Sequence, residues 1–235
     1  MNDSAAGRLI GALVAPVKTF ESIAQRPTWV LALILMLLST LGVGYLTMQH
    51  TDMAGSIRQA IEKQANGAMT PEQIDDRVAM ATKVTNVTTI AGPIVFVPVS
   101  FLLVAFVFWL GLRLVGGDMR FPVSFSISLH AFLPSLVAGL ISIPVLLGRG
   151  ILSVDEIRRG VVASSAAAFA PEGASPIVVA LLSSLDLFSF WCLALLIVGY
   201  RAGSKLKTGT VTAVVLSIWV LYILGKTGIS ALAPH

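Results

Sequence analysis

The sequence predicts an all-α membrane protein: a bundle of five transmembrane helices with a short N-terminal amphipathic helix and helical outer loops. Two observations carry this. The chain of 235 residues is 56% hydrophobic and only 12% charged, with a mean hydropathy of +0.88, whereas soluble domains run at roughly 45–50% apolar and about 25% charged. So little charge cannot cover a water-soluble globule, which excludes a soluble enzyme, a disordered protein and a nucleic-acid-binding domain. The apolar residues are also gathered into five long stretches. Each can cross the roughly 30 Å hydrocarbon layer, which takes about 20 helical residues. Lipid offers no partner to free backbone groups, so each stretch must be helix.

Residues 1–27 read as a cytoplasmic N-terminal segment. They contain Arg8, Lys18, Glu21 and Arg26 and no small-residue cleavage site behind a short apolar region, so no cleaved signal peptide is expected. Pro16 can open a short helix in which Val17, Phe20, Ile23 and Ala24 share one face, away from Lys18, Glu21 and Ser22. The spacing predicts an amphipathic segment at the membrane surface.

The spans are expected at Thr28–Met48, Thr89–Val115, Pro122–Leu147, Pro176–Tyr200 and Gly209–Ile229. Pro27, Pro122 and Pro176 sit where helices start, with Ser175 placed as an N-cap, because proline at the first helical position forfeits no hydrogen bond. Between the first two spans, Thr70-Pro71-Glu72-Gln73 forms a capping box that starts a helix towards Asn86, with Met53–Ala65 as its antiparallel partner. Ser153-Val154-Asp155-Glu156 repeats the capping logic in the second outer loop. Pro93 and Pro98 in the second span and Pro134 and Pro144 in the third predict kinks. Thr40-x-x-x-Gly44 and Gly199-x-x-x-Gly203 permit close helix approach.

Charge sets the expected orientation. Arg8, Lys18, Arg26, Arg113, Arg120, Arg201, Lys205 and Lys207 fall in three short segments on one side. Arg58, Lys63, Arg77, Lys83, Arg149, Arg158, Arg159 and Lys226 are spread over longer loops on the other, among acids. Basic density near span ends predicts the N-terminus in the cytoplasm and the C-terminus outside. The net charge of +4 forms no basic stripe and is topological rather than a nucleic-acid footprint.

Asp186 is the carboxylate inside a predicted span, with Ser183 and Ser189 three residues away on either side. An acid at a helix centre costs about 2.5–3.5 kcal/mol on insertion scales, so it should face protein. This stripe reads as an interhelical anchor or as a proton or ion site, with Ser39, Thr40, Ser100 and Tyr222 as depth-matched partners. His130 is the other intramembrane candidate, but it lies about 12 Å deep against about 21 Å for Asp186, so the two are not expected to pair. Three scattered histidines and the single Cys192 predict no metal site, disulfide or cofactor, and no metal-ligand, nucleophile-turn or phosphate-cradle motif occurs.

Three segments carry a resemblance to the Yip1 family of five-span membrane proteins. They are Val14-Ala15-Pro16-Val17-Lys18-Thr19-Phe20-Glu21-Ser22-Ile23-Ala24 with Arg26-Pro27-Thr28-Trp29; Gly116-Gly117-Asp118 to Phe121 with Leu129-His130-Ala131-Phe132-Leu133-Pro134; and Asp186-Leu187-Phe188-Ser189-Phe190-Trp191-Cys192-Leu193-Ala194-Leu195 with Gly199. The chain resembles bacterial members over about residues 10–225. Eukaryotic relatives bind Rab GTPases in vesicle traffic, but their Asp-Leu-Tyr-Gly-Pro motif is absent here, so no GTPase partner is expected. The resulting expectation is a non-enzymatic multi-pass protein of the bacterial inner membrane that organises membrane partners or lipids. Besides the bilayer, its expected partners are a membrane protein or a second copy of itself. The rival expectation is a small transporter or channel that uses Asp186.

Overall fold

A computed structural model describes residues 4–171 and 173–231. The fold is all-helical. Among the described residues no strand forms, and the only β pairing is two isolated backbone bridges. Five helical stretches are long and apolar enough to cross a membrane: Val30–Gln49, Pro71–Leu114, Phe121–Gly148, Leu187–Ser204 and Thr208–Ser230.

In chain order the helices are α1 (Ala5–Val14), α2 (Pro16–Gln25), α3 (Val30–Gln49), α4 (Met53–Ala65), α5 (Pro71–Leu114), α6 (Phe121–Ala131), α7 (Leu133–Gly148), α8 (Val154–Arg159), α9 (Pro176–Leu182), α10 (Leu187–Ser204) and α11 (Thr208–Ala231). A 3₁₀ turn covers Ala166–Phe169. The span ends define two sides. On the N-terminal side the α5–α6 and α10–α11 turns meet, where the Asp118 amide donates to Ser204 O at 3.3 Å and Lys205 lies 3.4 Å from Asp118. On the far side the chain after α3 meets the chain after α7, with the Leu152 amide donating to His50 O at 2.7 Å.

The capping signals form as the sequence implies. Thr70 and Gln73 complete one capping box at the start of α5, and Ser153 and Glu156 complete the other at α8. α5 runs unbroken from Pro71 to Leu114, passing through Pro93 and Pro98. At 1.5 Å per residue its 44 residues reach about 66 Å, twice the hydrocarbon thickness. α4 packs back on the first part of α5 as the hairpin the sequence suggests, tied by an Arg58–Asp75 ion pair and burying none of its own side chains. The Asp75 carboxylate, accepting a hydrogen bond, holds the Arg58 guanidinium above its ordinary pKa.

The centre of the bundle is α6. Every residue from Val123 to Ala131 is buried, including Ser124, Ser126, Ser128 and His130. α5, α10 and α2 pack around it, with α1, α3 and α7 making smaller contacts. The third span is therefore two helices, α6 and α7, divided at Phe132, with Pro134 in the first turn of α7 where its missing N–H is harmless.

Two expectations are corrected here. The apolar face of α2 is turned into the protein rather than out to the membrane surface: Thr19, Phe20 and Ile23 are packed into the bundle, and Val17 alone of that face is exposed. Phe20 reaches Gly199 of α10, where a Cβ would stand 2.9 Å from its Cδ1 and 2.6 Å from Ile127 Cγ2. The second correction is the fourth span. Pro176–Tyr200 is not one helix but α9 and α10, separated at Ser183–Asp186. With 18 residues α10 is about 27 Å long, close to the hydrocarbon thickness on its own. Asp186 therefore caps the far end of the span instead of lying within the helix.

Candidate functional site

Polar side chains gather at two places in the bundle. The first is the core near the N-terminal side. Ser124 Oγ donates to Ala105 O at 2.8 Å and pairs with the Tyr200 hydroxyl at 3.1 Å; Ser128 Oγ lies 2.8 Å from the same hydroxyl. Tyr200 is fully buried, its ring 5.0 Å from that of Phe108. Ser126 Oγ donates to Thr28 O at 2.6 Å and accepts from the Thr28 amide at 3.1 Å, which joins α6 to the start of the first span. His130 Nδ1 is 2.8 Å from Ser126 O, one turn earlier on its own helix. Arg8, also buried, donates to Arg26 O at 2.6 Å and Thr28 Oγ1 at 3.1 Å. In an apolar medium each such group would cost several kcal/mol unpaired, on the order of 4–8 kcal/mol on cyclohexane scales, and here each joins one helix to another or to its own backbone.

The second place is the break in the fourth span. Asp186 Oδ2 accepts from the Ser189 amide at 2.9 Å and from Ser189 Oγ at 3.2 Å, an N-cap of α10. The upstream loop crosses the break as a short extended segment. The Ala166 amide donates to Leu185 O at 3.0 Å and the Leu187 amide donates to Ser164 O at 3.1 Å. These bonds supply partners to backbone groups that a continuous helix would have paired internally. Lys226 of α11 donates to Ser183 Oγ at 2.8 Å and to Ser184 Oγ at 3.1 Å, just past the C-terminal end of α9. A cation thus meets the negative end of one helix dipole and an anion meets the positive end of the next. Asp186 Oδ1 is buried and has no hydrogen-bond partner.

The four residues singled out from sequence are divided between these places. Asp186 and Ser189 are in contact; Ser183 lies across the break on Lys226; His130 belongs to the other cluster. The expected polar stripe of Ser183, Asp186 and Ser189 on one helix face does not exist, because the helix is interrupted between them. None of the hydrogen bonds of Asp186 goes to Ser39, Thr40, Ser100 or Tyr222. Thr40 Oγ1 instead donates to Met36 O of its own helix.

Sequence reasoning missed Lys226, Tyr200 and the serines at 124 and 128. Lys226 was in view as a loop charge, although its position inside an apolar stretch was the signal that it needed a partner. The alternating serines of Ser124-Phe125-Ser126-Ile127-Ser128 were the signal for α6, since hydroxyls on opposite faces of an apolar helix require protein on both faces.

Among the described residues no group of three or more histidine, cysteine or carboxylate side chains is placed to hold a metal ion. No curated protein and no solved structure aligns with the chain. The Yip1 domain matches residues 10–228, which takes in α2 to α10, α11 as far as Gly228, and both polar clusters apart from Arg8. The chain belongs to the Yip1 domain family and is a multi-pass membrane protein.

Proposed function

We propose that this protein performs no catalytic step and acts as a scaffold in the bacterial inner membrane, its N-terminus in the cytoplasm, holding a membrane partner through the α4–α5 hairpin. The supporting observation is how its polar groups are distributed. Inside the bundle they join the protein's own helices, as at Tyr200 and Ser126. On the hairpin Gln73, Asp76 and Arg77 are exposed, and with Ala68 and Met69 they line a groove at its tip. That groove combines two apolar side chains, Ala68 and Met69, with an acid, a base and an amide, a chemistry suited to a protein segment. The test is affinity capture from gently solubilised membranes, comparing wild type with Asp76→Lys/Arg77→Glu. A partner retained by wild type and lost from the charge-swapped variant supports the reading; an identical set of retained proteins and lipids overturns it.

A second reading, ion or proton transport, is favoured by one observation: the unpartnered Asp186 Oδ1 beside Ser189, with Lys226 and two hydroxyls across the break. It requires that Asp186→Asn abolish a flux in proteoliposomes. Loss of such a flux with unchanged melting would replace the scaffold reading.

A further inference from the structure

α1 is built inside out compared with a surface helix in water. Its sequence, Ala-Ala-Gly-Arg-Leu-Ile-Gly-Ala-Leu-Val, has one charged residue, and that residue is turned inward. Arg8 is 4% exposed, beside Gly11 and Ala12, and it donates to Arg26 O and Thr28 Oγ1. The outward residues are apolar: Ile10 is 66% exposed and Val14 72%, and past the bend at Ala15, Val17 is 51% exposed at the start of α2. Spacing of four residues puts Ile10 and Val14 one turn apart on one face of α1. A helix facing water shows the opposite pattern, with charge outside and Ile and Val inside.

α1 is also placed where lipid is expected. It packs against α3, α6 and α7, all parts of membrane spans. Between its first turn and the start of α3 runs a groove lined by Ala5, Pro27, Thr28, Trp29, Val30 and Ile34, among others. That groove continues into the outward face of the first span, where Val30, Ile34 and Leu38 are exposed. The first turn of α1 thus borders the outward apolar face of a membrane span. Ten residues give a helix of about 15 Å, too short to cross and long enough to lie in one leaflet.

We propose that α1 is embedded in the leaflet on the N-terminal side, with acyl chains covering Ile10, Val14 and Val17. Arg8 fixes its rotation by holding the inward face on the Arg26–Thr28 backbone, and α2, wedged against Gly199 through Phe20, ties it to the bundle. The N-terminal segment is then a sixth membrane element, confined to one leaflet, rather than a cytoplasmic leader.

The test uses the full chain in phosphatidylcholine nanodiscs, with and without lipids brominated along their acyl chains. Single cysteines at Ile10→Cys and Val14→Cys, on a Cys192→Ala background, carry an environment-sensitive fluorophore. Ile34→Cys serves as the span-facing reference and Lys63→Cys as the water-facing one, and each labelled protein is accepted only with the melting transition of the background. Lipid embedding predicts bromine quenching at positions 10 and 14 within twofold of that at 34 and several-fold above that at 63, with little quenching by aqueous iodide. Bromine and iodide responses like those at 63 would overturn the proposal. So would shielding from both quenchers, which would mean that protein, as a second copy or another partner, covers the ridge.

Discussion

Alanine at Gly199 should loosen the joint between the N-terminal helices and the bundle. A Cβ there would lie 2.6 Å from Ile127 Cγ2 and 2.9 and 3.0 Å from two carbons of the Phe20 ring. Carbon atoms prefer about 3.5–4.0 Å. The neighbours would have to retreat by roughly 0.5–1 Å, and neither has room, because Ile127 and Phe20 are both 0% exposed. Inserting a methyl into a packed core costs about 1–3 kcal/mol. Exchanging glycine for alanine inside a helix returns about 0.8–1 kcal/mol, so the net expectation is a loss of up to about 2 kcal/mol. Gly42 of α3 and Gly225 of α11 are the controls, since a Cβ there meets nothing within 4 Å. Their alanine variants should be neutral or slightly stabilising. The assay is reversible denaturation in mild detergent, followed by circular dichroism. Pairing Gly199→Ala with Ile127→Ala, which removes the clashing Cγ2, should cost less than the sum of the single changes. A Gly199→Ala protein as stable as the Gly42→Ala control, with additive behaviour in the pair, would refute the close packing of α2, α6 and α10.

Three further outcomes follow from the same geometry. Tyr200→Phe removes the hydroxyl shared by Ser124 and Ser128 and should cost about 0.6–1.7 kcal/mol, the range for hydrogen bonds between membrane helices; an unchanged unfolding midpoint would show that the serines find other partners. If Asp186 acts as an N-cap, Asp186→Asn should melt close to wild type, because asparagine caps as well, whereas Asp186→Ala should lose about 1 kcal/mol; equal losses in both would point to a need for the charge. In the far-side loop, the Ser153 amide and hydroxyl donate to Glu156 and hold its carboxyl below the ordinary value of 4.5. A depressed folded pKa makes the cap's contribution complete above that ordinary value and lost as pH falls through the lower, folded one. Hydrogen-exchange protection at Glu156 to Gly160, corrected for intrinsic rates, should therefore hold from pH 7 to 5 and decline at lower pH; protection that declines already between pH 7 and 5 would contradict it.

The parts legible in the sequence are those fixed by local rules. Apolar length marks the spans, and Thr70 and Ser153 start helices because a hydroxyl and a carboxamide or carboxylate three residues later satisfy free amides within one turn. The α4–α5 hairpin follows from that cap and a short polar helix beside it. The break at Ser183–Asp186 was not legible from hydropathy, because Ser-Ser-Leu-Asp inside an apolar run also fits an uninterrupted helix. What stabilises the break comes from elsewhere in the chain: the backbone of Ser164 and Ala166 on one side and the ammonium of Lys226 on the other. An aspartate directly before Leu187-Phe188-Ser189 was nevertheless a helix-start signal in its own right. The burial of α6 likewise depends on α2 and α10, since only the close approach at Gly199 and Gly203 brings Phe20, Ile127 and Met119 against α10. The small-residue pair was visible in the sequence, but the helices it admits were not.

The scaffold account rests most heavily on the hairpin tip. A photo-crosslinking amino acid placed at Gln73, in the whole protein and in its native membrane, tests it most directly. The account predicts one discrete adduct with a membrane partner or a second copy of the chain, lost when Asp76→Lys and Arg77→Glu are added. Irradiation that leaves the protein free of any adduct at Gln73, or adducts that persist unchanged in the charge-swapped background, would contradict it.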